Sequence, residues 1–139
     1  MIGLLKNYSL IFIAVLVQFS TTIVSAQTKP AWVTPQGASL VKNPLAGDKS
    51  TLTEGKTLYV ANCSPCHGLK GKGDGAAAAA LNPKPADHTS SKVQDETDGS
   101  LFWKISEGHN PMPQYKAAFT DKQRWELVNY IRTLSKNKK

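Results

Sequence analysis

Cysteine is nearly absent: Cys63 and Cys66 are the only two in 139 residues. A zinc site built on cysteines has no second ligand pair to draw on, and a framework of several disulfides is excluded. Methionine is as scarce, and Met112 is the only one besides Met1. No Val/Ile-rich run leads into Cys63, and residues 57–61 read as helix. That removes the strand on which a thioredoxin-like C-x-x-C pair would sit. The run Gly71-Lys72-Gly73-Asp74-Gly75 lacks both the spacing and the preceding strand of a phosphate-binding loop. No constellation of acids and bases suited to general acid–base catalysis is present, so the chain does not read as an enzyme. Acidic residues are the minority, 10 against 17 Lys and Arg, for a formal charge of +7. Nucleic acid is excluded as a partner, because nothing interleaves aromatic with basic residues and no binding motif occurs. The basic balance points to an acidic protein partner or an anionic membrane surface.

The N-terminus reads as a targeting segment. Lys6 supplies positive charge, residues 10–19 are apolar except Gln18, and Val24-Ser25-Ala26 ends in small residues. Residues 1–26 are therefore expected to be a signal peptide cleaved after Ala26. Retention as an anchor is the alternative, since residues 8–26 nearly suffice to span a bilayer. Either way the domain lies in the periplasm or on the extracytoplasmic face of a membrane. The 113 residues left of 139 suffice for one domain.

Cys63-Ser64-Pro65-Cys66-His67 is the centre of the chain. C-x-x-C-H reads as a site of covalent haem attachment. Two thiols at this spacing add across the two vinyl groups of the porphyrin, and the histidine that follows is placed to bind iron. A plain disulfide is the competing reading, and it leaves His67 without a role. One haem c, bound covalently through Cys63 and Cys66 with His67 as an axial ligand, is expected.

Around this motif the chain divides into a Pro-rich arm, residues 27–50, and a domain, residues 51–139. Pro30, Pro35 and Pro44 break periodicity in the arm. Trp32, Leu40, Val41 and Leu45 make it too apolar for a free linker, so it should lie against the domain. Thr51 to Glu54 fits a capping box opening a first helix, with Leu52, Gly55 and Tyr59 on one face. Gly68, Gly71, Gly73 and Gly75 suggest backbone passing close to a haem edge. Ala76 to Ala80 fits one short helical turn. Pro83 or Pro85 is expected to offer its carbonyl to the second ring nitrogen of His67. A further helix runs from Ser100 to Glu107 and stops at Gly108. The last begins at Thr120, with Gln123 completing a capping box, and carries the stripe Leu127, Val128, Ile131 and Leu134, flanked by Trp125 and Tyr130. Trp103 reads as a packed residue, with donation to a haem propionate as the alternative.

These features, in this order, resemble class I c-type cytochromes over residues 50 to 135. The resemblance implies an all-α fold with three main helices around the haem. Its first and last helices cross where Gly55 and Tyr59 meet Leu127, Tyr130 and Ile131. It also implies a distal methionine in a loop before the last helix, which Met112-Pro113 matches. His109, three residues earlier, and His88 are the alternatives for that position. The implied function is a monomeric carrier of single electrons between respiratory redox partners with acidic docking surfaces. Two rivals remain: a haem subunit of a larger oxidoreductase complex, and a haem sensor or enzyme with an open distal site. Lys70, Lys72, Lys84, Lys104 and Lys116 are expected near the crevice, where they would steer an acidic partner.

Overall fold

A computed structural model describes residues 32–135. The predicted signal peptide, residues 27–31 of the arm and the basic tail from Lys136 lie outside the described residues. The helices are α1 (Gln36–Ser39), α2 (Leu52–Asn62), α3 (Ser64–His67), α4 (Ser91–Gln94), α5 (Asp98–Glu107) and α6 (Asp121–Thr133). Three are long and three are single turns. Among the described residues the only extended pairing is the isolated bridge of His109 with Met112. The all-α architecture expected from the sequence is the one observed.

α6 is most fully written in the sequence. The Thr120 side chain accepts from the Gln123 N–H, and the Gln123 side chain accepts from the Thr120 N–H, completing the expected capping box. Leu127, Val128, Ile131 and Trp125 are buried along its inner face, while Tyr130 and Leu134 are half-buried at the flank.

α2 crosses α6 at Gly55. A Cβ there would overlap the Glu126 carbonyl oxygen and stand 3.1 Å from Tyr130 Cβ. That close approach is why a helix interior carries a glycine. One turn on, Tyr59 is fully buried, its ring centroid 5.1 Å from that of Tyr130. The start of α2 differs from expectation. Thr51 does not cap it: its hydroxyl donates to the Asp48 carbonyl at 2.6 Å and accepts from Asn129 Nδ2 at 2.9 Å. Thr51 is buried, so its one hydroxyl serves the tertiary contact. A 3₁₀ turn, Lys49–Thr51, precedes the helix instead, and the Asp48 carboxylate accepts from the Ser50 N–H at 2.9 Å. Hydrogen bonds from the Ser50 hydroxyl and N–H hold the Asp48 carboxyl below the usual range.

α5 begins two residues earlier than the expected Ser100, because Thr97 caps it by accepting from the Ser100 N–H at 3.1 Å. It ends as expected at Gly108, whose φ of +63° favours glycine. Leu101 and Ile105 are buried, and Phe102 stacks on Trp125 at 4.0 Å. α4 is absent from the sequence expectations: four residues give no readable period. Ala78–Ala80 forms the anticipated short turn.

The described part of the arm lies against the domain as expected, but Leu40 and Val41 are exposed and its ties are largely polar. Asn43 Nδ2 donates to Asp98 Oδ2 at 2.9 Å and to Asn129 Oδ1 at 2.8 Å, and Asn129 Nδ2 donates to the Leu45 carbonyl at 2.7 Å.

The Gly55 crossing makes a directional prediction. Alanine outranks glycine in a helix by about 1 kcal/mol, whereas overlap in a packed contact costs about 1–3 kcal/mol. Gly55→Ala should therefore destabilise the protein in denaturant titration. A stabilised variant would mean that the two helix backbones are not in contact.

Candidate functional site

α2 ends at Cys63, and Pro65 stands in the first turn of α3, where its missing N–H costs nothing. The Cys66 and His67 N–H groups both donate to the Cys63 carbonyl, at 3.2 and 2.8 Å. One tight turn therefore carries both thiols and the imidazole. Gly68, at φ +80°, turns the chain out of it.

All three residues line one cavity. Its other walls include Pro83, Pro85, Ile105, Met112, Tyr115, Trp32 and His109. The four residues singled out in the sequence, Cys63, Cys66, His67 and Met112, thus share one largely apolar space. Burial, followed by the neighbouring Cys66, pushes the Cys63 thiol up to about 12.

His67 Nδ1 lies 2.9 Å from the Ala86 carbonyl oxygen. A carbonyl can only accept, so Nδ1 carries the proton and Nε2 keeps a free lone pair. The expected proline carbonyl is thus replaced by that of Ala86, the residue after Pro85. Pro83 and Pro85 line the cavity instead. Burial lowers the His67 pKa, with the Ala86 hydrogen bond acting in the opposite sense, and the neutral imidazole is favoured.

His88, an alternative distal ligand in the sequence, lies beside His67 instead. It stands outside any helix, yet its ring stacks on His67 at 4.0 Å and 18°. Face-to-face stacking leaves the Nε2 edge of His67 clear. His88 Nδ1 lies 3.1 Å from the Tyr59 hydroxyl, which donates to the Gly68 carbonyl at 3.3 Å. Burial and then the adjacent His67 bring the His88 pKa down to about 3. Tyr59, the fully buried residue of the helix crossing, therefore also supports the imidazole pair.

The glycines after His67 are closely hemmed in by the chain itself. A Cβ at Gly75 would overlap the Pro65 carbonyl, one at Gly73 the Pro85 carbonyl, and one at Gly71 would press on Leu134, His88 and Tyr59. Their amides and neighbours lace the loop to the motif: Gly73 N–H to the His67 carbonyl at 2.8 Å, Gly75 N–H to Cys66 at 3.1 Å, and His88 N–H to Gly71 at 2.6 Å.

Facing this side is the loop from Gly108 to Phe119. The His109 N–H donates to the Met112 carbonyl at 3.0 Å, and the Met112 N–H returns to His109 at 2.8 Å. Met112 is half-buried against the core. His109 is exposed, with its ring stacked on Trp32 at 5.2 Å. The Tyr115 hydroxyl donates to the Asn62 carbonyl at 3.0 Å, tying this loop to the end of α2. Burial is the first cause, and the two thiols the next, that push the Tyr115 pKa up to about 12.

Among the described residues no group of three His, Cys, Asp or Glu could hold a bare metal ion. One histidine and one methionine beside two thiols and apolar walls fit a metal that brings its own equatorial ligands. Lys70, Lys72 and Lys84 are exposed. Lys104 leaves the expected basic ring, because its ammonium pairs with Glu96 at 2.6 Å and lies 5.3 Å from the Trp32 ring centroid. Trp103 is half-buried, 6.3 Å from Trp32.

The sequence model described as Cytochrome c matches residues 52–135. No curated protein matches the chain. Among solved structures, it is 27% identical to a chain of the "Kuenenia stuttgartiensis reducing HAO-like protein complex Kustc0457/Kustc0458", with a TM-score of 0.60, over 69% of this chain and 50% of that one. The chain thus spans half the length of that relative. It is 24% identical to the "KustC0563 c-type cytochrome", with a TM-score of 0.52, over 59% of this chain and 98% of that one; that likeness concerns the fold. No helix among the described residues is long and apolar enough to cross a membrane.

Tyr59→Phe tests the support beneath the imidazoles. It keeps the ring in the core and removes the hydroxyl between Gly68 and His88, leaving buried polar groups unpaired at a cost of about 1–3 kcal/mol. Urea unfolding should register a loss of that size. An unchanged midpoint would mean that the Tyr59 hydroxyl supports neither group.

Proposed function

We propose that this chain, which belongs to the cytochrome c family, carries single electrons between redox proteins by means of one haem c held by Cys63 and Cys66, with His67 and Met112 as axial ligands. The observation that carries this reading is the convergence of those four side chains on one cavity, with the His67 proton committed to Ala86. A bound haem c would supply an iron centre able to exchange one electron. The protein's contribution is to hold ligands still. His67 presents Nε2 in a fixed tautomer, stacked on His88. Met112 offers a soft, neutral thioether that favours ferrous iron and raises the reduction potential relative to a second imidazole. Pro111 and Pro113 stiffen its loop, so less entropy is lost in keeping the sulfur in place. Apolar walls exclude water, which limits rearrangement between oxidation states.

Exposed Lys70, Lys72 and Lys84 support docking to an acidic partner, an attraction screened over about 8 Å at physiological salt. The free-thiol chemistry of haem attachment and the N-terminal features support export with residues 1–26 removed, the arm and the domain 51–139 forming the mature protein. A second reading, a haem subunit of a larger oxidoreductase assembly, is favoured by one observation: the relative from Kuenenia stuttgartiensis belongs to a complex.

Intact mass of the purified protein should show one haem that acid-acetone does not extract, and a Cys63→Ala, Cys66→Ala variant should not retain it. Haem that extracts freely would overturn covalent attachment. The ferric protein should show the weak near-infrared thioether charge-transfer band. Met112→Ala should lose this band, bind carbon monoxide readily in the ferrous form and have a lower reduction potential. If the wild type lacks the band and His109→Ala alters its spectrum, His109 is the ligand.

A further inference from the structure

We propose that Trp32 is a positioning residue for the Met112 loop, and that the described arm is a strap across the Met112 side of the cavity. The proposal rests on the reading of Met112 as an iron ligand.

The strap has a firm anchor. Asn43 and Asn129 tie it to α5 and α6, and Thr97 Oγ1 donates to the Ser39 carbonyl at 2.8 Å. At Gly99 the fit is close enough that a Cβ would overlap the Ala38 carbonyl oxygen. From this anchor the chain reaches back to Trp32, whose indole forms part of the cavity wall. The indole stacks on His109 with centroids 5.2 Å apart and planes 24° apart. On its other contacts it meets Trp103 at 6.3 Å and the Lys104 ammonium at 5.3 Å, the latter held by Glu96.

His109 is the link. Its backbone exchanges two hydrogen bonds with Met112, at 3.0 and 2.8 Å. Anything that immobilises the His109 ring therefore immobilises the Met112 backbone. His109 is otherwise exposed, and a surface imidazole gains little from its own chain. The indole gives it a fixed, partly dry seat, and an aromatic pair of this kind changes an opening equilibrium by a factor of about two to ten. Trp32 and Met112 also line the same cavity.

The test uses the full haem-loaded protein. The rate at which carbon monoxide binds the ferrous form reports how often Met112 leaves the iron, and the ferric near-infrared band reports its presence there. Trp32→Ala should raise the carbon monoxide rate about two- to tenfold and cause the band to fade at a lower temperature. Trp32→Phe, which keeps a ring, should stay near wild type. His109→Ala, which leaves the arm and its anchors intact, should raise the rate as Trp32→Ala does, and it decides the matter if Trp32→Ala yields no folded holoprotein. A band present in the wild type, with carbon monoxide rates unchanged in the variants even where global unfolding is easier, would overturn the strap and leave Met112 as ligand. A wild type without the band would remove Met112 and the strap together.

Discussion

At Gly55 the backbone of α2 rests on the backbone of α6 at Glu126, with no room for a side chain between them. The position of the site depends on this contact. Because the helices approach so closely, Tyr59 is carried fully into the core against Leu127, Val128 and Ile131. α2 then delivers Cys63 to the cavity wall one turn later. A wider crossing would leave Tyr59 partly wet and move the whole Cys63–His67 turn. The apolar side chains buried here contribute about 1.5–3 kcal/mol each, enough to outweigh the helix penalty of one glycine.

The Tyr59 hydroxyl joins the packing to the chemistry. It sits between the Gly68 carbonyl and His88, and His88 lies flat on His67. The imidazole that faces the cavity is thus braced at one nitrogen by a backbone carbonyl and across one face by a second ring. His67 Nδ1, the Tyr59 hydroxyl and His88 Nδ1 each face another group of the protein. The arm extends the same economy to the other wall, where Trp32 covers His109.

Much of this was legible in the sequence, and the parts that were not share a physical cause. The Cys63–His67 motif, the Gly55 and Tyr59 face, the Thr120–Gln123 capping box and the Gly108 stop are local patterns, and each is formed where local chemistry puts it. Thr51 looked like a cap, but its hydroxyl is claimed by Asn129, a residue distant in sequence. Thr97 was passed over as the cap of α5; its hydroxyl accepts from the Ser100 N–H and also donates to the Ser39 carbonyl of the arm. The carbonyl that orients His67 belongs to Ala86 rather than to either proline, since it is the path of the loop that selects it. No periodicity marks His88 or Trp32, whose roles arise only from which rings they meet. The glycines after His67 were correctly read as close-approach positions, and the chain itself crowds them.

The central claim is the proposal that His67 and Met112, which line a single cavity, both ligate one iron. X-ray absorption at the iron edge of the purified ferric protein tests it most directly. The account predicts a shell of nitrogens with a sulfur at bonding distance, and the loss of that sulfur in Met112→Ala. A shell of nitrogen or oxygen alone in the wild type would contradict it.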